Sequence, residues 1–280
     1  MVLNLDPNFK PVNGEDLPFE SFVFNGGEPH IRIGPVKSLD KVFVTHRINS
    51  FNDLGLLCIA IDALKRMDVK DINVIIPYFP GARQDRVMVK GESLTVKVYA
   101  SIINNLKLNS ITIFDPHSDV TPALLDNCIS IQNHDFIKHI ISKIPKHTIL
   151  ISPDAGASKK IFKLAKALNF ENIIECGKKR NVITGELSGF TVPIEDIQAK
   201  PCLIVDDICD GGGTFLGLAE ELKSKNAGKL FLAVSHGIFS KGISKLSSMF
   251  ENIFTTDSIK SIDESEITQI DLNKILNLHI

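Results

Sequence analysis

Cys202-Leu-Ile-Val-Asp206-Asp207-Ile-Cys209-Asp210-Gly211-Gly212-Gly213-Thr214 leads into a helical pattern of Phe215, Leu218 and Leu222, and the order of its chemistries decides the fold. The apolar run Cys202–Val205 reads as a buried strand that ends in two carboxylates. A glycine turn follows and opens a helix, with Thr214 placed as its cap. Glycines let backbone N–H groups converge at a helix amino end, where unpaired donors and the helix dipole already favour an anion. The stretch therefore reads as a phosphate cradle beside an acid pair. It is not a P-loop, because no Gly-Lys-Ser/Thr ending is present. Nor is it a dinucleotide fingerprint, because Leu216 stands at the last glycine position.

Outward from this stretch, short β-branched runs recur at Lys41–Thr45, Ile72–Ile76, Ser110–Phe114, Thr148–Ser152, Asn172–Glu175 and Leu230–Ser235, each reading as a buried strand. Between them, Leu54, Leu57, Ile61 and Leu64 share one helical face, as do Ile161, Leu164, Ala165 and Leu168. Strands alternating with helices predict an α/β chain built on parallel sheets. Polar residues collect where the strands end: Pro77–Tyr78 and Arg83–Arg86, Asp115–His117, Asp154, and Asp206–Asp207. That edge is where open α/β sheets bind ligands. The more polar stretch Asn127–Lys146 separates two blocks with the same grammar, which predicts two domains, 1–142 and 143–280, with the C-terminal tail packing back on the first.

Bulk properties narrow the function. A length of 280 residues suits one large α/β domain or two smaller ones, and 44% hydrophobic with 23% charged residues is ordinary globular composition. A net charge of −2 gives no overall attraction to nucleic acid or anionic membrane, so anions must be held by local clusters. No apolar run is long enough to span a bilayer, and Met1–Pro11 lacks a signal-peptide layout, so a cytoplasmic protein with neither nucleic-acid nor membrane partners is expected. The five scattered cysteines, without CxxC spacing, predict reduced thiols and neither a disulfide nor a cysteine metal site.

The Asp206–Thr214 segment resembles the 5-phosphoribosyl 1-diphosphate signature of phosphoribosyltransferase-type folds. Phe24-Asn-Gly26-Gly-Glu28, Asp62–Arg66, Ile76–Arg86, Asp115-Pro-His117, Ser152-Pro-Asp154-Ala-Gly156 and Ser235-His-Gly-Ile-Phe239 together resemble the ribose-phosphate diphosphokinase family, from about Phe24 to about Ser258. The resemblance implies two phosphoribosyltransferase-like domains, each a mainly parallel sheet flanked by helices. It implies Mg²⁺-dependent diphosphate transfer from ATP to the 1-hydroxyl of ribose 5-phosphate. In that reading Asp206 and Asp207 hold the ribose hydroxyls, while Asp210, Gly211, Gly212, Gly213 and Thr214 hold the 5-phosphate. Arg83, Gln84 and Arg86 contact ATP, and Phe24 and Glu28 form an adenine loop that works across a subunit boundary, implying a homo-oligomer of at least two chains. His117 and Asp154 are the implied Mg²⁺ positions, His117 either directly or through water. Lys178 is the implied catalytic lysine, with Lys179 as the alternative register, and Arg180 contacts the sugar phosphate.

The sequence departs from the family pattern in three places. Gly26 replaces an Asp of the adenine loop, with Glu28 as its compensation; Val87 stands where a basic residue often follows Arg86; and Gly211 replaces a Thr of the phosphate turn. The last removes a hydroxyl donor and is read as leaving open space. Either backbone donors suffice for ribose 5-phosphate, or the turn admits a 5-phosphate-substituted ribose such as ADP-ribose. A non-catalytic regulatory relative and a phosphoribosyltransferase that consumes the activated sugar are the other readings. The retained acids, Lys178 and His117 weigh against the first, and the ATP-side segments against the second.

Overall fold

The structure, a computed structural model, describes residues 1–37, 40–180 and 187–279, with the side chains of Lys179, Arg180, Leu187 and Ser188 outside the described set. Its contacts divide into two compact units, Met1–Gln132 with the residues from Asp271 on, and Asn133–Ile270. The first unit runs β1 (Val2–Asn4), β2 (Phe19–Val23), β3 (Pro29–Ile33), β4 (Lys41–Thr45), α1 (Phe51–Arg66), β5 (Asp71–Ile75), α2 (Thr95–Asn104), β6 (Ser110–Phe114), α3 (Val120–Leu124) and β7 (Cys128–Ile131). The second runs α4 (His134–Ile141), β8 (Ile149–Ser152), α5 (Ala155–Leu168), β9 (Ile173–Glu175), β10 (Gly177–Arg180), β11 (Leu187–Thr191), β12 (Cys202–Cys209), α6 (Gly213–Ser224), β13 (Leu230–Gly237), α7 (Ser244–Ser247), β14 (Asn252–Thr256) and β15 (Ile267–Ile270). A last helical turn, α8 (Asn273–Leu276), returns to the first unit, where Asn273 Nδ2 donates to the Lys10 carbonyl and Asn277 Oδ1 accepts from the Asn13 N–H.

In the first unit a five-stranded sheet has the order β1-β4-β5-β6-β7, every pair parallel, and β2 and β3 form a separate antiparallel hairpin. The helix α1 forms because Ser50 caps it, its side chain accepting from the Asp53 N–H, and because Leu54, Leu57, Ala60, Ile61 and Leu64 recur on one buried face. That stripe joins Val42, Val44, Ile72 and Val74 of the sheet in one core. Truncating a fully buried member such as Leu57 to Ala would cost about 2–5 kcal/mol.

The second unit holds a six-stranded parallel sheet of order β15-β14-β13-β12-β8-β9, with β10 and β11 as a small antiparallel pair. Its central strands β8 and β13 are buried along their whole length, as expected of strands covered on both faces. From β8 the chain steps outward to β9, then returns to lay β12 on the other side of β8. The strand order reverses there, and the carboxyl ends of β8 and β12 flank the reversal, the place where such sheets open a crevice for ligands.

Two sequence expectations need correction. The polar stretch Asn127–Lys146, within which the two units divide, is not free of regular structure: it contains β7 and α4, and β7 was hidden because Ile129 is exposed and only Ile131 is fully buried. The strand at Cys202 does not stop before the acids: β12 continues through Asp206 and Asp207 to Cys209, with Asp206 in register with Val234 and Ile208 with His236.

Candidate active site

At the order reversal, β8 delivers Asp154 and β12 delivers Asp206 and Asp207. Asp154 is the N-cap of α5, its Oδ1 accepting from the Ala157 N–H at 3.1 Å. The other oxygen, Oδ2, lies 2.5 Å from Lys178 Nζ, with both side chains about a quarter exposed (23% and 26%). Burial pushes the Asp154 pKa up, but the Lys178 ammonium and the N–H groups of Ala157 and Gly156 outweigh it and hold the carboxyl below its ordinary value. Lys178 thus projects from β10 onto a fixed anion. The side chains of Lys179 and Arg180 lie outside the described residues.

Asp206 sits deep among neighbouring atoms, although part of it still reaches solvent, and it accepts from the Asp207 N–H at 2.9 Å. Burial first, then the charges of Asp207 and Asp154, drive its pKa well above the usual carboxylate range. Two carboxylates this close resist being ionised together, and hydroxyl donors placed on them would relieve the conflict. The sequence showed the pair but not its proton affinity, which arises from continuation of β12 past the acids into the packed sheet.

The glycine turn begins at Asp210. Gly212, at φ +77°, is the N-cap of α6, and no side-chain bond caps that helix. Thr214 is therefore in the first turn of α6 and not its cap, because a left-handed glycine already makes the entry. A Cβ on Gly212 would press Leu246 at 3.1 Å, so glycine is required there by backbone and by space alike. Gly213 has nothing within 4 Å of that position and is open. Gly211 is not open as expected from sequence, because the aliphatic stem of Lys241 lies over it, with Cδ at 3.3 Å and Cε at 3.4 Å from where a Cβ would stand. Ser240 Oγ donates to Asp210 Oδ1 at 2.6 Å and fastens the loop after β13 to the turn. Neither Ser240 nor Lys241 was visible as a site residue, since only the β12–β13 pairing brings them there.

In the first unit Arg83, Gln84 and Arg86 follow β5 on an exposed loop. Its organiser is Asp85, which sequence reasoning did not single out and which is 7% exposed. Arg86 Nε donates to Asp85 Oδ1 at 2.9 Å and Nη2 to Oδ2 at 3.4 Å. The Arg86 bond, opposed by some burial and joined by a Ser118 bond and the nearby His117, sets the Asp85 carboxyl below its ordinary value. Asp85 thereby ties the arginine loop to the turn after β6, where Asp115 is buried at φ 38° and His117 is exposed. Val87, Met88 and Val89 beyond it are exposed and form an apolar surface. Phe24 and Glu28 close the β2–β3 hairpin, with the Phe24 N–H donating to the Glu28 carbonyl. The ring of Phe24 packs edge-on to Phe22 at 5.0 Å. The Glu28 carboxylate lies 2.5 and 2.7 Å from where a Cβ on Gly26 would stand, filling the place of the missing side chain.

Among the described residues no three His, Cys, Asp or Glu side chains are grouped as a metal site. Mg²⁺ carried by a nucleotide needs only one or two protein carboxylates, its other positions being water and phosphate oxygen. Asp154, anchored through one lone pair on each oxygen, is chemically suited to that. The thiols of Cys176 and Cys209 are pushed by burial to about 12, which keeps them protonated and unsuited as metal ligands.

Open parallel sheets flanked by helices, with an acid pair and a glycine turn beside a strand-order reversal, define an α/β protein of the phosphoribosyltransferase type. Residues 16–106 match the family model described as the N-terminal domain of ribose phosphate pyrophosphokinase, and residues 180–280 match the phosphoribosyl synthetase-associated domain. A ribose-phosphate pyrophosphokinase from Mycoplasma genitalium is 30% identical over 267 residues, covering 91% of this chain and 80% of its own. One from Prochlorococcus marinus subsp. pastoris is 28% identical, covering 94% and 81%. The crystal structure of phosphoribosylpyrophosphate synthetase from Mycobacterium smegmatis has the same fold, with a TM-score of 0.83 at 23% identity, over 94% of this chain and 89% of that one. The chain belongs to the ribose-phosphate pyrophosphokinase family, a family of transferase enzymes. No helix is long and apolar enough to cross a membrane among the described residues.

Proposed function

We propose that the chain transfers the terminal diphosphate of Mg·ATP to the 1-hydroxyl of ribose 5-phosphate. The sugar O1 forms a bond to the β-phosphorus, the bond from that phosphorus to the α–β bridging oxygen breaks, AMP leaves with that oxygen, and the hydroxyl proton passes to solvent. The observation that carries the reading is the convergence at the β8–β12 reversal of the Asp154–Lys178 pair, the Asp206–Asp207 pair and the glycine turn.

Asp206 and Asp207 accept hydrogen bonds from the two ring hydroxyls, and Asp210 with the N–H groups of Gly211, Gly212, Gly213 and Thr214 seats the 5-phosphate. Lys178, oriented by Asp154, offers its ammonium to the charge that builds on the transferring phosphate, with Arg180 on the sugar phosphate. Arg83, Gln84 and Arg86 grip the nucleotide phosphates, and Phe24 with Glu28 receives the adenine of a chain in the same homo-oligomer. Asp154 and His117 are the positions for Mg²⁺, which when bound supplies positive charge to the phosphate oxygens. The substrates are small cytoplasmic metabolites, with no nucleic-acid or membrane partner.

Incubation with Mg·ATP and ribose 5-phosphate, read by ³¹P NMR, should give AMP and a sugar 1-diphosphate. Appearance of ADP instead would sink the reading by showing transfer of the γ-phosphate alone, and no AMP with any sugar would favour a regulatory relative. ADP-ribose belongs in the same assay, since the open flank at Gly213 favours a substituted 5-phosphate.

A further inference from the structure

We propose that Lys241 is a binding and specificity residue for the acceptor's phosphate, its ammonium taking over at the turn the donor role that Gly211 cannot fill. The inference rests on the ribose-phosphate reading above and deepens it.

Placement comes first. The strands β12 and β13 run in parallel register to Cys209 and Gly237, so the loops that follow them emerge side by side. The Ile238 and Phe239 N–H groups both donate to the Cys209 carbonyl, and the Ser240 N–H donates to the Asp210 carbonyl at 3.1 Å. Ser240 Oγ adds its bond to Asp210 Oδ1. The loop is thus stitched to the start of the phosphate turn at four points, and the next residue is Lys241. Left-handed backbone at Phe239 and Gly242, φ 49° and 72°, brackets the bend that throws the Lys241 side chain back over the turn.

Geometry and charge then agree. Three consecutive carbons of the Lys241 stem stand 3.3–3.6 Å from where a Gly211 Cβ would be, so the methylene chain lies over the bare glycine and any side chain there would crowd it. A β-branched side chain at 211 would have to displace that stem. Glycine at 211 and lysine at 241 are therefore one arrangement: the small residue makes room, and the long one brings a cation to the rim of an N–H cradle. Lys241 is exposed, and among the described residues no carboxylate forms an ion pair with it. Asp210, the anion beside it, is engaged by Ser240. A dianionic phosphate in the turn would be the natural partner for the ammonium, and a charge-assisted bond outweighs the neutral hydroxyl it replaces.

The test is a double-mutant cycle on the full-length protein, with steady-state kinetics and calorimetric binding of ribose 5-phosphate. Lys241→Met keeps the stem and removes the charge. KM and Kd for ribose 5-phosphate should rise about tenfold or more while kcat and the KM for ATP stay put. Lys241→Arg should retain affinity, and added salt should erode the difference between parent and Lys241→Met. Gly211→Thr introduced into Lys241→Ala, where the stem over the glycine is gone, should recover part of that variant's loss of sugar affinity, since the hydroxyl returns and the pair is coupled. Parent-like sugar affinity in Lys241→Met overturns the proposal, as does an equal loss in Lys241→Arg, which would mark a packing role. If the parent protein neither binds ribose 5-phosphate nor makes AMP, the underlying function falls and this inference with it. Parent-like melting of each variant guards against misfolding.

Discussion

Replacing Lys178 by Met separates the structural from the chemical role of the Asp154–Lys178 pair. Breaking a fully buried ion pair costs about 3–5 kcal/mol, and exposed pairs are worth about 0–1 kcal/mol. This one is about a quarter exposed, and Asp154 keeps its Ala157 N–H donor when the lysine is gone. A loss of about 1–2 kcal/mol at pH 7 follows after discounting for solvent. The pH dependence carries the sharper test. The folded Asp154 pKa lies below 3.8, so the pair's contribution is complete above the unfolded carboxyl pKa and vanishes as pH falls through the folded one. Urea titrations of parent and variant should differ most at neutral pH and converge on the acid side of about pH 4. In thermal melts the neutral-pH gap should be about 3–6 °C. In the same variant kcat should drop on the order of 10²–10³-fold, as for loss of one transition-state donor. An equal stability gap at acid and neutral pH would refute the assignment, because it would trace the cost to packing and not to charge.

Two further outcomes follow from other parts of the site. Asp206 has a raised folded pKa, so its ionisation opposes folding once pH exceeds the unfolded carboxyl value near 4. Asp206→Asn should melt higher than the parent at pH 7, with the gain fading below about pH 4, while sugar affinity falls; a lower neutral-pH melting temperature would contradict the strained-pair reading. Asp85→Ala should free Arg86 and the loop it anchors, raising the KM for ATP by roughly tenfold or more without changing that for the sugar. Equal effects on both substrates would show that Asp85 serves the fold at large.

The alternating fold was legible because the strands at Lys41, Ser110, Cys202 and Leu230 are continuous apolar runs and α1 carries a clean stripe of Leu54, Leu57, Ile61 and Leu64. Short or half-exposed strands were not: β2, with four of five residues exposed, has no burial pattern to read. Within the candidate site, residues adjacent in sequence were seen as units, as with Asp206, Asp207 and the glycines. What escaped were relations across distance. The Lys241 stem over Gly211, Leu246 beneath Gly212, and the bridge from Asp85 to Ser118 depend on parallel register and loop closure, which no local window encodes.

At Gly26 and Gly211 alike, the space a side chain would take is filled by a charged residue's side chain from another position, the Glu28 carboxylate in one case and the Lys241 stem in the other. A search that scores each motif column on its own would count both as decay. On the proposal that Lys241 serves the turn, placing Thr at 211 alone alters half of a pair, so chimaeras should exchange the turn and the loop after β13 together.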